Sequence, residues 1–196
     1  MKGLELIERN LKYQAHRVKV YEDTLVKPSG EKVYYDFVEN RNGSGVLLVD
    51  EDEKLIFVKQ YRNSLNREDI EIPAGCAETS DYSDFNDKVA DDKREVFENP
   101  ENPFYRCAIR EAEEETGLIP AKLSFVNYII AAVGLFSERT AVYIGTDLKP
   151  GKLNRDSDEY IEIVRLSPEE ALEYIRYGKI VDSKTIIAIM AYMLQR

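Results

Sequence analysis

Four carboxylates are concentrated in one stretch of the chain, residues 111–118, which reads EAEEETGL. If this stretch is helical, side chains three and four positions apart share a face, so Glu111, Glu114 and Glu115 form a cluster. Repulsion inside such a cluster costs on the order of a few tenths of a kcal/mol per pair. A hard divalent cation removes that cost, because Mg²⁺ takes oxygen ligands and bridges them to substrate phosphates. The alternative interpretation is an ordinary solvated acidic helix.

The neighbouring residues favour the functional interpretation. Arg110 stands four positions before Glu114 and can pair with it, which holds that carboxylate in place. Gly117 is a natural left-handed stop for the helix. The small and apolar residues 107–109 predict that the opposite face is buried. Upstream, residues 71–78 read EIPAGCAE and form a second turn that carries carboxylates.

Composition limits the class of protein. A chain of 196 residues is long enough for one domain with a buried core. Two distant cysteines and one histidine predict neither a zinc site nor a histidine-based triad, and so few cysteines are typical of a reducing cytoplasm. The first residues lack a signal core, and no run reaches the roughly 18 apolar residues of a membrane span. A net charge of −10 argues against nucleic-acid binding.

A small antiparallel sheet is predicted at the N-terminus, in residues 1–40. Residues 1–15 predict a short irregular segment, and alternating apolar residues in 18–25 and 33–37 flank a turn. A two-stranded hairpin is marginal by itself. It must therefore pack on the main body or on a second copy of the chain, which predicts a homodimer.

The main body, residues 41–196, predicts an α/β sandwich with a mixed sheet. Strands are predicted at 46–49, 55–58, 123–130, 140–146 and 160–166, with a loop at 40–45, a turn at 149–152 and the carboxylate helix at about 104–116. After the second strand, the cationic stretch 59–62 faces either a cleft or the solvent.

Two helices close the chain. Ser167 and Glu170 form a capping box for the first, and Gly178 ends it. Asp182 or Ser183 caps the second, for which the pattern predicts a core stripe of Ile186, Ile187, Met190 and Met193.

Residues 79–103 differ from the rest of the chain in charge and in apolar pattern. They contain eight acidic and three basic residues, and so carry half of the net charge of the chain. Periodic apolar residues are few, which predicts a surface insertion. The insertion is either a flap over the site or an inert loop.

Gly75 together with residues 110–118 resembles the Nudix box, G-x5-E-x7-R-E-U-x-E-E-x-G-U, in which U is aliphatic. The second half matches at every fixed position. In the first half, Asp81 stands where the box has glutamate, and the insertion lengthens the spacing to Arg110. The stretches 60–62, 71–78, 137–139 and 178–185 further resemble the branch that contains the ADP-ribose and sugar-nucleotide pyrophosphatases.

This resemblance implies a Nudix-type α/β/α sandwich with a mixed sheet, preceded by a small N-terminal antiparallel sheet that commonly forms the dimer. It implies hydrolysis of a nucleoside diphosphate linked to another moiety, with Mg²⁺ as the cofactor and Mn²⁺ as an alternative. The implied metal ligands are Glu111 and Glu115, with Glu114 nearby, and the backbone carbonyl of Ala74.

The resemblance also implies roles in substrate binding and catalysis. Arg62 meets the diphosphate, Glu71 and Glu78 belong to the substrate-binding turn, and Glu138 helps to hold the nucleoside, often from a partner subunit. Arg110 and Glu115 are implied in catalysis. For the base that deprotonates the attacking water, the loop before the last strand offers Asp156, Asp158 and Glu159. We favour Glu159, with Glu115 as the second choice.

Substrate identity stays open at this point. The branch usually reads Ser-Pro-Gly before its Ser-Glu-Arg element, but here residues 132–136 read AVGLF. ADP-ribose, a GDP-sugar or another sugar nucleotide therefore fits. The competing function is a non-catalytic Nudix-like nucleotide-binding or regulatory domain, which has no need of the complete carboxylate set. A nucleoside triphosphate hydrolase is less favoured, because such proteins usually lack the N-terminal sheet.

Overall fold

The computed structural model describes residues 3–16, 18–78, 81, 94–154 and 160–196. It divides into two compact units. One consists of Met1–Asn42 and Ile130–Arg139, and the other of Gly43–Ile129 and Thr140–Arg196. None of the described helices is long and apolar enough to cross a membrane.

The first unit contains a three-stranded antiparallel sheet of β1 (Glu5–Gln14), β2 (Lys19–Val26) and β3 (Lys32–Glu39), in that order. The predicted small sheet is confirmed, but the prediction of an irregular segment in residues 1–15 is wrong. Two register shifts in β1, between Leu6 and Glu8 and between Leu11 and Tyr13, explain the error. Each bulge inserts a residue and breaks the period of two on which strand prediction depends.

The second unit contains a seven-stranded sheet. Its strands are β4 (Gly43–Val49), β5 (Leu55–Arg62), β6 (Arg67–Glu71), β7 (Ala74–Cys76), β8 (Leu118–Ile129), β9 (Thr140–Pro150) and β10 (Glu162–Leu166). The order is β10-β5-β4-β9-β8, with β6 beside β5 and β7 beside β4. The β4–β9 pair is parallel and the other pairs are antiparallel, which confirms the mixed sheet.

Three local predictions for this sheet need correction. Strand β4 begins at Gly43, inside the predicted loop, and β9 continues to Pro150, into the predicted turn. The short strands β6 and β7 were not predicted. β6 ends and β7 begins within the EIPAG sequence, whose Pro73 and Gly75 favour a turn when only the sequence is considered.

Helices cover both faces of the large sheet. α1 (Arg94–Phe97) and α2 (Pro103–Thr116) lie on one face, and α3 (Pro168–Arg176) and α4 (Ser183–Gln195) on the other. Along β4 the side chains alternate between two cores: Val46 and Leu48 pack with α2, whereas Leu47 and Val49 pack with α4. The predicted α/β/α sandwich is thereby confirmed.

The predicted caps of the last two helices are confirmed. Ser167 and Glu170 form the capping box of α3, Gly178 follows its end with φ of 67°, and Asp182 caps α4. The core stripe of α4 is partly wrong, because Met190 is 45% exposed whereas Ala188 and Ile189 are fully buried.

The C-terminal end of the acidic insertion belongs to the core. Phe97 in α1 is fully buried and stacks on Phe125, with 4.6 Å between the ring centroids. The hydroxyl of Tyr143 donates a hydrogen bond to the carbonyl of Phe97 at 3.0 Å. The prediction of a surface insertion is therefore wrong at this end. Residues 79, 80 and 82–93, and with them the predicted flap, lie outside the described residues.

We expect Phe97→Ala to lower the free energy of unfolding by about 3–5 kcal/mol, because it leaves a cavity beside three aromatic rings. Urea unfolding followed by circular dichroism measures the change. Tyr160→Ala is the matched control, since Tyr160 is 87% exposed. An unchanged unfolding midpoint in Phe97→Ala would contradict the assignment of α1 to the core.

Candidate active site

Helix α2 forms the base of the site, and its sequence fixes both of its ends. The side chain of Asn102 accepts a hydrogen bond from the backbone N–H of Phe104 at 2.9 Å, and Pro103 occupies the first turn. At the other end Gly117 takes φ of 70°, and its N–H donates to the carbonyl of Glu113. Ala108 and Ala112 are fully buried, so the helix presents Arg110, Glu111 and Glu114 away from the core.

The guanidinium of Arg110 connects the carboxylates of this helix. Its Nη1 donates to Glu111 Oε1 and to Glu114 Oε2, both at 2.8 Å. The predicted Arg110–Glu114 pair is thus present, and Glu111 shares the same nitrogen. Nη2 donates to the carbonyl of Cys76 at 3.0 Å, which ties the helix to the end of β7. One cation therefore sets the orientation of two of the three carboxylates that were predicted to cluster.

Asp81 is the residue at this centre whose role was not foreseen. It is buried, and Arg110 donates to its two carboxylate oxygens from Nη2 at 3.0 Å and from Nε at 3.3 Å. The backbone N–H of Glu78 also donates to Asp81 Oδ2, at 2.7 Å. The sequence contained a signal for this role, because five residues separate Gly75 from Asp81, which is the fixed spacing in the first half of the Nudix box. Its side chain is one methylene shorter than the glutamate of the box, and it still reaches Arg110.

The local charges keep Arg110 protonated. Burial by itself would lower the pKa of Arg110, but the hydrogen bonds to Asp81 and the charge of Glu111 outweigh it, and the pKa is raised. A permanently charged guanidinium therefore stands between carboxylates that would otherwise repel one another.

Strand β7 is joined to α2 at two points. The backbone N–H of Ala74 donates to Glu115 Oε2 at 3.0 Å, and Glu115 is buried. The carboxylate of Glu111 lies against the Cα of Gly75, in the space that a Cβ would occupy. Any larger residue at position 75 would displace Glu111. This close approach is the physical reason for the glycine, since its φ is not in the left-handed region.

A second charged cluster surrounds Glu71. The guanidinium of Arg62 forms two hydrogen bonds with this carboxylate, and Lys184 Nζ donates to Glu71 Oε2 at 2.7 Å. Lys184 also pairs with Asp182 Oδ1 at 2.9 Å. Glu71 is only 3% exposed, so a buried carboxylate binds both cations.

Charge balance decides the ionisation of this cluster. Burial alone would raise the pKa of Glu71, but the hydrogen bond from Arg62 and the charges of Lys184 and Arg62 lower it to about 2. The hydrogen bond to Glu71 raises the pKa of Arg62 in turn, and the charge of Glu115 adds to that effect. Arg62 is thus electrostatically coupled to both Glu71 and the carboxylate helix.

The remaining predicted site residues are Glu78, Glu138 and the candidates for the base. The side chain of Glu78 is exposed. Glu138 lies in the first compact unit, where the side-chain amide of Asn40 donates to its carboxylate. Asp156, Asp158 and Glu159, the candidates for the base, lie outside the described residues.

The donor atoms of the site fit a hard divalent cation in their chemistry. Glu111, Glu114, Glu115 and the carbonyl of Ala74 offer oxygen only, as Mg²⁺ and Mn²⁺ prefer. In the arrangement of the described residues, no three acidic, histidine or cysteine side chains meet closely enough to hold a metal ion. Arg110 instead takes one oxygen of Glu111 and one of Glu114. A cation would therefore compete with Arg110 for these two carboxylates.

Comparisons with known proteins find relatives along most of the chain. The sequence model of the NUDIX domain matches residues 39–186. The ADP-ribose pyrophosphatase of Bacillus subtilis is 29% identical over 199 residues, which cover 100% of this chain and 96% of that protein. The methanol dehydrogenase activator of Bacillus methanolicus is also 29% identical, over 91% of this chain and 86% of the activator. The crystal structure of an ADP compounds hydrolase superposes with a TM-score of 0.77 at 17% identity, over 100% of this chain and 95% of that one.

We expect Asp81→Ala to lower the free energy of unfolding by about 3 kcal/mol, because it leaves the half-buried guanidinium of Arg110 without its main partner. Chemical denaturation at neutral pH measures this change. Glu31→Ala, which removes an exposed ion pair with Lys27, is the control and should change stability little. Equal effects of the two substitutions would show that Asp81 contributes no more than a surface charge.

Proposed function

The chain belongs to the Nudix family, and on this premise we propose that it hydrolyses a nucleoside diphosphate linked to a sugar. The products would be a nucleoside monophosphate and a sugar phosphate. One observation carries the proposal: the carboxylates of Glu111 and Glu115 lie against the Ala74–Gly75 backbone, and the charge of Glu115 acts on Arg62. ADP-ribose is the first candidate substrate, because a relative that aligns over the whole chain is an ADP-ribose pyrophosphatase.

Glu111, Glu114, Glu115 and the carbonyl of Ala74 would hold the divalent metal ion that Nudix hydrolases generally use. Mg²⁺ is our first choice and Mn²⁺ the alternative. When bound, such an ion neutralises phosphate charge and lowers the pKa of a water molecule. The contribution of the protein is to orient the carboxylates, which Arg110 does through its contacts to Glu111 and Glu114.

Arg62 is the group that we assign to the diphosphate. A guanidinium binds phosphate oxygens through two parallel hydrogen bonds, and the side chain of Arg62 is 38% exposed. Its two hydrogen bonds to Glu71 limit the conformations of the side chain before substrate arrives. Such preorganisation lowers the entropic cost of binding. Glu71 itself is buried and has both oxygens engaged, so we now assign it to the positioning of Arg62 and no longer to direct contact with substrate.

The remaining assignments stay proposals. Glu159 is our first choice for the general base. Glu115 is the second choice, because its buried carboxylate already accepts the Ala74 N–H. Glu78 is exposed beside the turn that contains Asp81, where it can meet substrate. Glu138 is proposed to bind the nucleoside of a substrate held by a partner subunit.

A regulatory role without catalysis is the second candidate, because one relative over most of the chain is a methanol dehydrogenase activator. The two candidates make different demands on the carboxylates. A binding domain needs only some of them, whereas hydrolysis needs the complete set. All three are present in this chain, together with the arginine that orients two of them, which favours the hydrolase.

The test of the proposal is a panel of substrates in Mg²⁺ or Mn²⁺, with a phosphatase that releases phosphate from the monophosphate products. The panel contains ADP-ribose, GDP-mannose, UDP-glucose, NADH, diadenosine polyphosphates and deoxynucleoside triphosphates. We expect hydrolysis of at least one sugar nucleotide and little hydrolysis of triphosphates. A folded protein that binds the metal and hydrolyses no member of the panel would favour the regulatory candidate.

The variant Glu115→Gln tests whether the carboxylates act in catalysis. We expect it to lower kcat about 100-fold or more, because loss of a metal-binding carboxylate removes several kcal/mol of transition-state stabilisation. The amide oxygen can still accept the Ala74 N–H, so the melting temperature should change little. Glu114→Gln serves as a second test of the same set. A large loss of melting temperature would instead show that the carboxylates are structural.

We also propose that the N-terminal sheet forms a homodimer and that the protein works in the cytoplasm. Large apolar and aromatic side chains are exposed throughout this unit: Leu4, Leu6, Ile7, Leu11, Tyr13, Tyr34 and Tyr35. An exposed apolar surface of this kind is typical of a protein interface. A second copy would cover it without requiring another partner. For the cytoplasm, the support is that neither Cys76 nor Cys107 forms a disulfide.

Light scattering coupled to size-exclusion chromatography should give twice the chain mass of 22.6 kDa at micromolar concentration. The double variant Leu6→Glu/Leu11→Glu should shift the mass to that of one chain, since it places charges in the interface. Leu194→Glu, at a residue that is 85% exposed outside this sheet, should remain dimeric. A single-chain mass for the unmodified protein would contradict the dimer.

A further inference from the structure

The first turn of α4 holds the short loop between β6 and β7. The hydroxyl of Thr185 accepts the backbone N–H of Ile72 at 2.9 Å and donates to Asp182 Oδ2 at 2.6 Å. Thr185 is fully buried, and Ile72 is 1% exposed. This contact joins residues that are 113 positions apart in the chain. The position of the loop therefore depends on the N-terminus of the last helix.

Lys184 makes the second contact from the same turn. Its ammonium lies 2.7 Å from Glu71 Oε2 and 2.9 Å from Asp182 Oδ1, and its side chain is only 15% exposed. Burial alone would lower the pKa of Lys184, but the charges of Asp182 and Glu71 outweigh it and raise the pKa. A charged lysine is thus held below the surface, where it faces the carboxylate that also binds Arg62.

We propose that Lys184 is a positioning residue for the diphosphate site, which acts on Arg62 through Glu71. This inference rests on the proposed function, since it takes Arg62 to be the group that binds the diphosphate. Lys184 contacts neither the carboxylates of α2 nor Arg62 in the hydrogen bonds of the described residues. Its effect must therefore pass through the carboxylate that the two cations share.

The shared oxygen explains how Lys184 would matter. Glu71 Oε2 accepts from Lys184 at 2.7 Å and from Arg62 Nη2 at 2.8 Å, so one carboxylate divides its charge between two cations. Without Lys184, the whole charge of Glu71 would act on Arg62. Arg62 would then be more fully neutralised and would attract a diphosphate less strongly. The carboxylate would also lose one of the two anchors that fix its orientation.

The decisive experiment compares Lys184→Met with Lys122→Met in the full chain. Lys122 forms an exposed ion pair with Asp147, so its replacement removes the same charge outside the site. We expect Lys184→Met to raise KM for the preferred sugar nucleotide about 10-fold, as is typical of coupled charges. Its kcat should stay near that of the unmodified protein, since the carboxylates of α2 are untouched. A KM that equals that of Lys122→Met, or a loss in kcat alone, overturns the proposal.

A double-mutant cycle tests whether the effect passes through Glu71. We expect Glu71→Gln to raise KM, and the addition of Lys184→Met to Glu71→Gln to change KM little further. Two independent effects on KM would multiply, and that result contradicts the proposed route. If Lys184→Met does not fold, Lys184→Gln replaces it. The glutamine can donate a hydrogen bond to Glu71 but lacks the charge, so KM should still rise.

Acid unfolding provides a readout that needs no substrate. Glu71 faces Arg62 and Lys184, with Asp69 and Asp182 as the nearby acids. Because its pKa is lowered from 4.5 to about 2, its stabilising contribution is complete above pH 4.5 and is lost as the pH falls toward 2. Removal of Lys184 raises the folded-state pKa of Glu71. The acid unfolding midpoint of Lys184→Met should therefore lie higher than that of Lys122→Met, by roughly one pH unit.

The two readouts separate failure of the inference from failure of the proposed function. If the unmodified protein hydrolyses no member of the substrate panel, the proposed function fails, and the acid midpoint still tests the contact between Lys184 and Glu71. If the protein is active and KM does not respond to Lys184→Met, the positioning role alone fails. Equal acid midpoints for Lys184→Met and Lys122→Met would show that Lys184 does not control the charge of Glu71.

Discussion

The carboxylates of the candidate site can lie together only because Arg110 compensates their charge. Asp81, Glu111 and Glu114 all bind its guanidinium, which also donates to the carbonyl of Cys76. Three negative charges around one half-buried cation would be unstable if the arginine could lose its proton, but its raised pKa prevents this. Helix α2, the end of β7 and the turn at Asp81 are therefore fixed relative to one another by a single side chain.

The short stretch from Ile72 to Gly75, which joins β6 to β7, is held from both sides of the sheet. On one side, Glu115 of α2 accepts the N–H of Ala74; on the other, Thr185 of α4 accepts the N–H of Ile72. Each contact satisfies a backbone donor that would otherwise be buried without a partner, which is a costly state. The carbonyl of Ala74 is thus positioned by two helices that do not share a core. The short strand β7 and the turn before it acquire in this way the rigidity that a binding site requires.

Whether the sequence predicts a feature depends on how far apart in the chain the interacting residues lie. Helix α2 and the caps at Ser167 and Asp182 follow from neighbouring residues, and all were predicted from the sequence. Strand β1 escaped prediction because its bulges break the local period. The ion pair between Lys184 and Glu71 was not predicted, for a different reason. The two residues are 113 positions apart, and no local pattern distinguishes a buried lysine from a solvated one.

The acidic insertion shows how a long addition can leave the site unchanged. Asp81 occupies the box position near the start of the insertion and is held by Arg110, whereas Phe97 lies near its end and is held in the aromatic core. Both ends are therefore attached to the domain independently of the residues between them. The entropic cost of closing a loop grows only with the logarithm of its length, about 0.6 kcal/mol for each doubling. Two firm attachment points thus allow the spacing inside the box to vary while the geometry around Arg110 is preserved.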